Sequence, residues 1–184
     1  MSLKFALLGF LNYQPRSGYD LKQVMDVSTS NFWHAKQSQI YATLKKLEKD
    51  GLIHSHIQTQ EYHPNKRIYE ITEAGQADLR EWLAQPQMTL KPNKEPLLLK
   101  LFFSARLNPK VILAELRVQR NLHQAELQKY QTTTKDVIRQ FRASSDMADD
   151  ARLWEATRRF GELYEEMYIR WLDETIDVIE NYEA

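Results

Sequence analysis

Two long series of residues, each stepping alternately by three and four, constrain this chain more than any other feature. The first is Leu113, Leu116, Arg120, His123, Leu127, Tyr130, Thr134, Val137 and Phe141. The second is Trp154, Thr157, Gly161, Tyr164, Tyr168, Trp171, Thr175, Val178 and Tyr182. This spacing holds one stripe of side chains on one side of an α-helix over many turns. It predicts two long helices, the first opening at Asn108-Pro109, folded into an antiparallel hairpin by a turn around Ser144 to Asp150. A helix of about 34 residues is roughly 50 Å long at 1.5 Å per residue, more than a partner domain built from the rest of the chain can cover. Val111, Val118, Leu153, Phe160, Met167, Ile176 and Ile179 lie off the seam and offer a second stripe to another subunit. A homodimer is the expectation.

Composition agrees with helices and closes several alternatives. Of 184 residues five are glycine and six proline, so few positions break a helix. With no cysteine, thiolate metal sites, disulfide scaffolds and thiol nucleophiles are excluded. No apolar run approaches the roughly 20 residues of a membrane span, and the start lacks an export-signal pattern, so the expected location is the cytoplasm, away from membranes. Lys plus Arg equals Asp plus Glu at 25 each, so binding to a polyanion would need a local patch.

Pro86 to Pro96 (PQMTLKPNKEP) is the one segment that reads as a linker, dividing the chain into 1–87 and 88–184. Before it, Leu3, Ala6, Leu7, Phe10 and Leu11 share a helix face, leaving Phe5 and Leu8 for another surface. Ser17 with Asp20 three residues on is a capping box for a second helix, about Gly18 to Val27. A third helix starts near Gln37, buries Ile40, Leu44 and Leu47, and stops at Gly51. The period then changes. Leu52–Tyr62 and Arg67–Thr72, joined through His63-Pro64-Asn65-Lys66, read as a β-hairpin, and Thr72 caps a fourth helix presenting Leu79, Trp82 and Leu83.

Three helices followed by a hairpin is the winged helix-turn-helix order, in which the third helix enters the DNA major groove. The fold class expected is thus mainly α with a small β-hairpin: a winged N-terminal domain and a long-helix dimerisation domain. If Ile40, Leu44 and Leu47 face inward, Gln37, Tyr41, Lys45 and Glu48 lie outward with Ser38 beside them. Amides and hydroxyls can bond base edges, and four lysines against one glutamate between Lys36 and Lys49 supply the local positive charge. The expected DNA-binding set is Tyr19, Lys36, Gln37, Ser38, Gln39, Tyr41, Lys45 and Lys46, with Lys66 and Arg67 from the hairpin on flanking DNA.

The segments NYQPRSGYDL (Asn12–Leu21), FWHAKQSQIYATLKKLEKDGLI (Phe32–Ile53) and NKRIYEITEAGQADLREWL (Asn65–Leu83) resemble the PadR family of bacterial transcriptional regulators. The resemblance implies that Ser38 to Tyr41 open the recognition helix and that Lys66-Arg67, Tyr69 and Thr72 to Gly75 form the wing. The tip, His63-Pro64-Asn65-Lys66-Arg67, is less glycine-rich than in many relatives. Glu95 to Phe103 and the two long helices resemble the C-terminal domain of the virulence-activator branch, which implies homodimerisation. The resemblance further implies a repressor that binds a palindromic operator on double-stranded DNA and is released by a phenolic acid.

Arg120 and His123 interrupt an otherwise apolar seam opposite Trp154, Tyr164 and Tyr168. Two readings remain open: a pocket for a small aromatic carboxylate, or buried pairs with a glutamate such as Glu162 or Glu165. Glu155 with Arg159, and Glu166 with Arg170, are spaced as surface ion pairs. His54, His56 and His63 read as a hydrated wing and not a metal site, and no cofactor is expected. No nucleophile elbow, P-loop or dinucleotide fingerprint is present, so no enzymatic activity is expected. A different class also stays open, in which the winged domain binds a protein partner in place of DNA.

Overall fold

The structure, a computed structural model, describes residues 2–29, 32–59, 65–90, 94–142 and 147–182. The chain forms two compact units, Met1–Lys91 and Pro92–Ala184. No helix among the described residues is long and apolar enough to cross a membrane.

The first unit runs α1 (Ser2–Tyr13), β1 (Arg16–Ser17), α2 (Gly18–Ser28), α3 (Gln37–Lys49), β2 (Ile53–Gln58), β3 (Lys66–Ile71) and α4 (Glu73–Ala84). Its core is built from Leu7, Leu8 and Leu11 of α1, Leu21 and Met25 of α2, Ile40, Leu44 and Leu47 of α3, and Ile53, Tyr69 and Leu79. Leu8, expected on another surface, is fully buried here, and Phe5 stacks on Trp82 of α4 at 4.6 Å, so α1 is covered on two sides.

Local chemistry sets the element ends. The Ser17 hydroxyl accepts from the Asp20 amide while the Asp20 carboxylate accepts from Ser17, closing the capping box. Gly51 takes a positive φ of 73° after α3, a conformation costly for residues with a Cβ. Thr72 Oγ1 accepts from the Gly75 amide and donates to the Gly51 carbonyl, tying the start of α4 to the end of α3.

The first strand of the hairpin stops earlier than its composition suggested, before Thr59. β2 ends at Gln58, β3 begins at Lys66, and residues 60–64, with His63 and Pro64 of the expected turn, lie outside the described residues. A third strand was not anticipated. Arg16 and Ser17 pair antiparallel with Tyr69 and Ile68, giving the order β1-β3-β2. Two residues are too few to show a period-2 pattern.

The second unit comprises α5 (Pro96–Phe102), a 3₁₀ turn (Ser104–Arg106), α6 (Pro109–Lys129), α7 (Lys135–Arg142) and α8 (Ala148–Tyr182). Asn108 caps α6, its side-chain oxygen accepting from the Lys110 amide at 2.9 Å. The first long helix is not uniformly α-helical: Tyr130–Thr134 is a π-turn between α6 and α7. Its extra residue per turn shifts the phase of all that follows. Ile138 is therefore buried where Val137 was expected, and Phe141 is 43% exposed.

The buried face of α8 is likewise rotated from the expected seam. Gly161 and Tyr168 are buried as anticipated, but Arg158, Glu165, Leu172 and Ile176 are buried in place of Thr157, Tyr164, Trp171 and Thr175. Charged groups can come inside because each arrives with a partner. Arg158 donates to Glu155 at 2.8 Å and to the Tyr130 carbonyl at 2.9 Å at the start of the π-turn, and lies 3.0 Å from Glu162. The ion pairs differ accordingly: Arg159 meets Glu162 at 2.8 Å and Glu166 at 3.7 Å in place of Glu155, and Arg170 meets Glu174 at 3.0 Å in place of Glu166. Val111, Val118, Leu153, Phe160 and Met167 stay exposed, whereas Ile176 is buried and Ile179 half-buried.

Candidate nucleic-acid interface

Helix α3 buries Ile40, Leu44 and Leu47 completely or nearly so. At about 100° per residue the line diametrically opposite runs through Ser38, Ala42, Lys45 and Lys49. All four are exposed. Ala42 and Lys49 had not been singled out. An exposed alanine in the middle of the outer face leaves a backbone able to approach a flat or grooved partner closely, and the helix wheel alone contains that signal.

Gln37 and Tyr41 lie together on one side of the helix, between this line and the buried face, and are also exposed. The Tyr41 ring packs over Gly18: a Cβ there would meet Tyr41 Cε1 at 2.5 Å. The start of α2 therefore fixes where the phenol stands. Gln39 is exposed, but its side-chain carbonyl accepts from the Lys36 amide at 2.9 Å, so that oxygen is occupied in capping α3. Tyr19 projects from α2 and its hydroxyl accepts from Gln23 at 2.8 Å. Among the described residues, Lys36, Lys45, Lys46 and Lys49 form no ion pair, leaving four cationic side chains around this helix.

The two wing cations behave differently from each other. Lys66 is exposed at the start of β3. Arg67 is not free. Its Nη2 donates to Glu48 Oε2 at 2.8 Å and its Nε to Ser55 Oγ at 2.7 Å, while the Ser55 hydroxyl donates to Glu48 Oε1 at 2.5 Å. The guanidinium also lies 5.6 Å from the Tyr69 ring centre. The Ser55 hydroxyl bond, reinforced by Arg67, holds the Glu48 carboxyl below its ordinary pKa. Glu48, grouped with the outward face from sequence, thus belongs to a junction of α3, β2 and β3. On the hairpin, His54 and His56 lie 3.4 and 3.2 Å from the single Glu70 carboxylate. Among the described residues no three such side chains are arranged to hold a metal ion.

In the helical unit, three of the five expected effector residues come together. The His123 ring stacks on Tyr168 at 3.9 Å, and Tyr164 lies 5.8 Å from Tyr168. Trp154 is elsewhere, edge-on to Phe141 at 5.5 Å. Both side chains already face a carboxylate: Arg120 Nε donates to Asp173 at 2.5 Å, and His123 Nδ1 is 2.5 Å from Glu165. The His123–Glu165 contact is largely buried, whereas Arg120 meets Asp173, an acid that sequence spacing had not suggested, in a pair that stays partly exposed. Burial pushes the Tyr164 and Tyr168 phenols above their ordinary pKa, so both remain neutral donors at physiological pH.

Comparison with known proteins bears on both units. Residues 7–81 match the transcriptional regulator PadR-like family, and residues 93–180 match the virulence activator alpha C-terminal family. The negative transcriptional regulator PadR of Bacillus subtilis is 29% identical over 182 residues, 97% of each chain. A probable transcriptional regulator of Mycobacterium tuberculosis is 30% identical over 186 residues, 98% of each. Bacillus subtilis PadR in complex with operator DNA has a TM-score of 0.82 at 28% identity, covering 97% of this chain and 99% of that one. The same protein with p-coumaric acid has a TM-score of 0.75 at 27% identity, covering 98% and 99%.

Proposed function

This chain belongs to the PadR-like family of DNA-binding transcriptional regulators, and on that footing we propose that it is a homodimeric repressor reading a palindromic operator. Its relatives are regulators, not enzymes. The observation that carries the reading is the outer face of α3, where Ser38, Ala42, Lys45 and Lys49 lie exposed opposite a fully buried Ile40, Leu44 and Leu47. Gln37, Ser38 and Tyr41 meet base edges; Lys36, Lys45, Lys46, Lys49 and Lys66 neutralise phosphates; Tyr19 and Gln39 support them from the rim. Two such helices related by a twofold axis read half-sites about 34 Å apart, or a multiple of that. The negative regulator of Bacillus subtilis supports repression as the direction, and the expected location is the cytoplasm.

Gel-shift titration at several salt concentrations tests the interface. Tyr41→Ala weakens operator binding with the dimer intact, by about 1–3 kcal/mol for a lost base contact. Lys45→Ala flattens the dependence of affinity on salt by about 0.9 in the log–log slope per half-site. Unchanged affinity in both variants would remove α3 from the interface.

The effector in this reading is a small aromatic carboxylate, as the complex of Bacillus subtilis PadR with p-coumaric acid suggests. The rings of His123, Tyr164 and Tyr168 supply a stacking surface. The ligand carboxylate would have to replace Glu165 or Asp173 as the partner of His123 or Arg120. Calorimetry with p-coumarate and ferulate tests this, and no heat at millimolar ligand refutes that class of inducer.

A further inference from the structure

Arg67 looks from sequence like a wing contact to DNA, yet it is enclosed by Glu48 of α3 and Ser55 of β2 in a closed ring of three hydrogen bonds of 2.5 to 2.8 Å. We propose that Glu48 is a specificity-determining residue: it withholds Arg67 from the phosphate backbone and holds the wing at a set angle to the recognition helix. The inference rests on the DNA-binding reading above and assigns a role within it.

The charge arithmetic gives the reason. Counterion release depends on how many phosphates are neutralised, and a guanidinium closed on a carboxylate brings no net charge to the duplex. Were Arg67 to turn to a phosphate, Glu48 would be left bare beside the same backbone, so the net gain is small. Latched, the pair does something else. Ser55 both donates to Glu48 and accepts from Arg67, so α3, β2 and β3 are joined at one point, and the Tyr69 ring beneath Arg67 backs it. The hairpin is thus pre-organised relative to α3 before DNA arrives. A free arginine at the same place would bind phosphates of any sequence, raising affinity everywhere and discrimination nowhere.

Ser55 and Glu48 also explain why one conservative change should act as a release. Glu48→Gln keeps the size of the side chain but removes the charge that holds Arg67, and it adds one net positive charge per protomer at the wing. The free guanidinium then reaches phosphate, on non-operator and operator duplex alike. The operator complex gains less, because the wing is no longer held at its angle.

The test measures affinity for operator and for unrelated duplex across a salt series. The full-length proteins are wild type, Glu48→Gln, Glu48→Gln/Arg67→Gln and Ser55→Ala, with melting temperatures recorded for each. Glu48→Gln should steepen the salt slope on unrelated DNA by about 0.9 per half-site, raise that affinity about fivefold per half-site near 0.15 M salt, and lower the operator preference. The double variant, charge-neutral like the native pair, should return to the wild-type slope. Ser55→Ala, which removes the bridging hydroxyl and leaves both charges, should fall between wild type and Glu48→Gln. A double variant whose slope is flatter than wild type by about 0.9 per half-site would overturn the inference, because Arg67 would then already be on phosphate. An unchanged slope in both Glu48→Gln and Ser55→Ala would overturn it as well. Wild-type protein with no preference for any duplex would instead overturn the DNA-binding reading and this role with it.

Discussion

Glu48 shows how one side chain's protonation is coupled to the fold. Its carboxyl ionises below the ordinary value near 4.5, first because the Ser55 hydroxyl donates to it and then because Arg67 does. The folded state therefore favours the ionised form, so the contribution to stability is complete above about pH 4.5 and is lost as pH falls through the lower folded value. Glu48→Gln should accordingly lose less melting temperature than wild type when pH is taken from about 5 to about 3. Thermal melts at both pH values check this, and equal losses would mean the carboxyl gains nothing from its partners. At this scale the sequence was informative where a residue's position follows from its own helix. Ser38, Tyr41 and Lys45 are exposed because Ile40, Leu44 and Leu47 are apolar and one helix must turn both sets apart. Arg67 was not legible in that way, since its partners lie 19 and 12 residues away on other elements.

Among the elements, the π-turn at Tyr130–Thr134 does most to shape the helical unit. It starts at Tyr130, whose ring lies against α8 where a Cβ on Gly161 would come within 2.2 Å of it. Arg158 donates to the Tyr130 carbonyl, so ring and carbonyl of one residue are both held by α8. Gly161→Ala forces Tyr130 or the helix axis to move and should cost about 1–3 kcal/mol, the usual range for overpacking a filled site. Urea unfolding measures the loss, and a change below about 0.5 kcal/mol would show that the contact relaxes freely. A strict three-four repeat cannot reveal such a turn, because the inserted residue keeps the helix running while changing its phase. The repeat therefore yielded long helices and their approximate ends, but it misassigned Val137 for Ile138 and placed Thr157 and Tyr164 where the paired charges Arg158 and Glu165 are buried.

For the molecule as a whole, a row on α8 stays exposed among the described residues. Leu153, Phe160 and Met167 recur every seven residues and are 70%, 65% and 53% exposed. Three large apolar side chains in line on a helix of about 50 Å are the kind of surface that a second copy covers. Phe160→Glu should shift the protein from dimer to monomer in sedimentation at micromolar concentration and weaken operator binding, whereas an unchanged dimer would place the interface elsewhere. The account depends most on the pairing of two α3 helices across that dimer, and selection of bound duplexes from a random pool by the wild-type protein tests it most directly. The enriched sequences should form an inverted repeat with half-site centres about 10 base pairs apart, or a multiple of that. No enrichment, or enrichment of a single unrepeated site by a protein that remains dimeric, would contradict it.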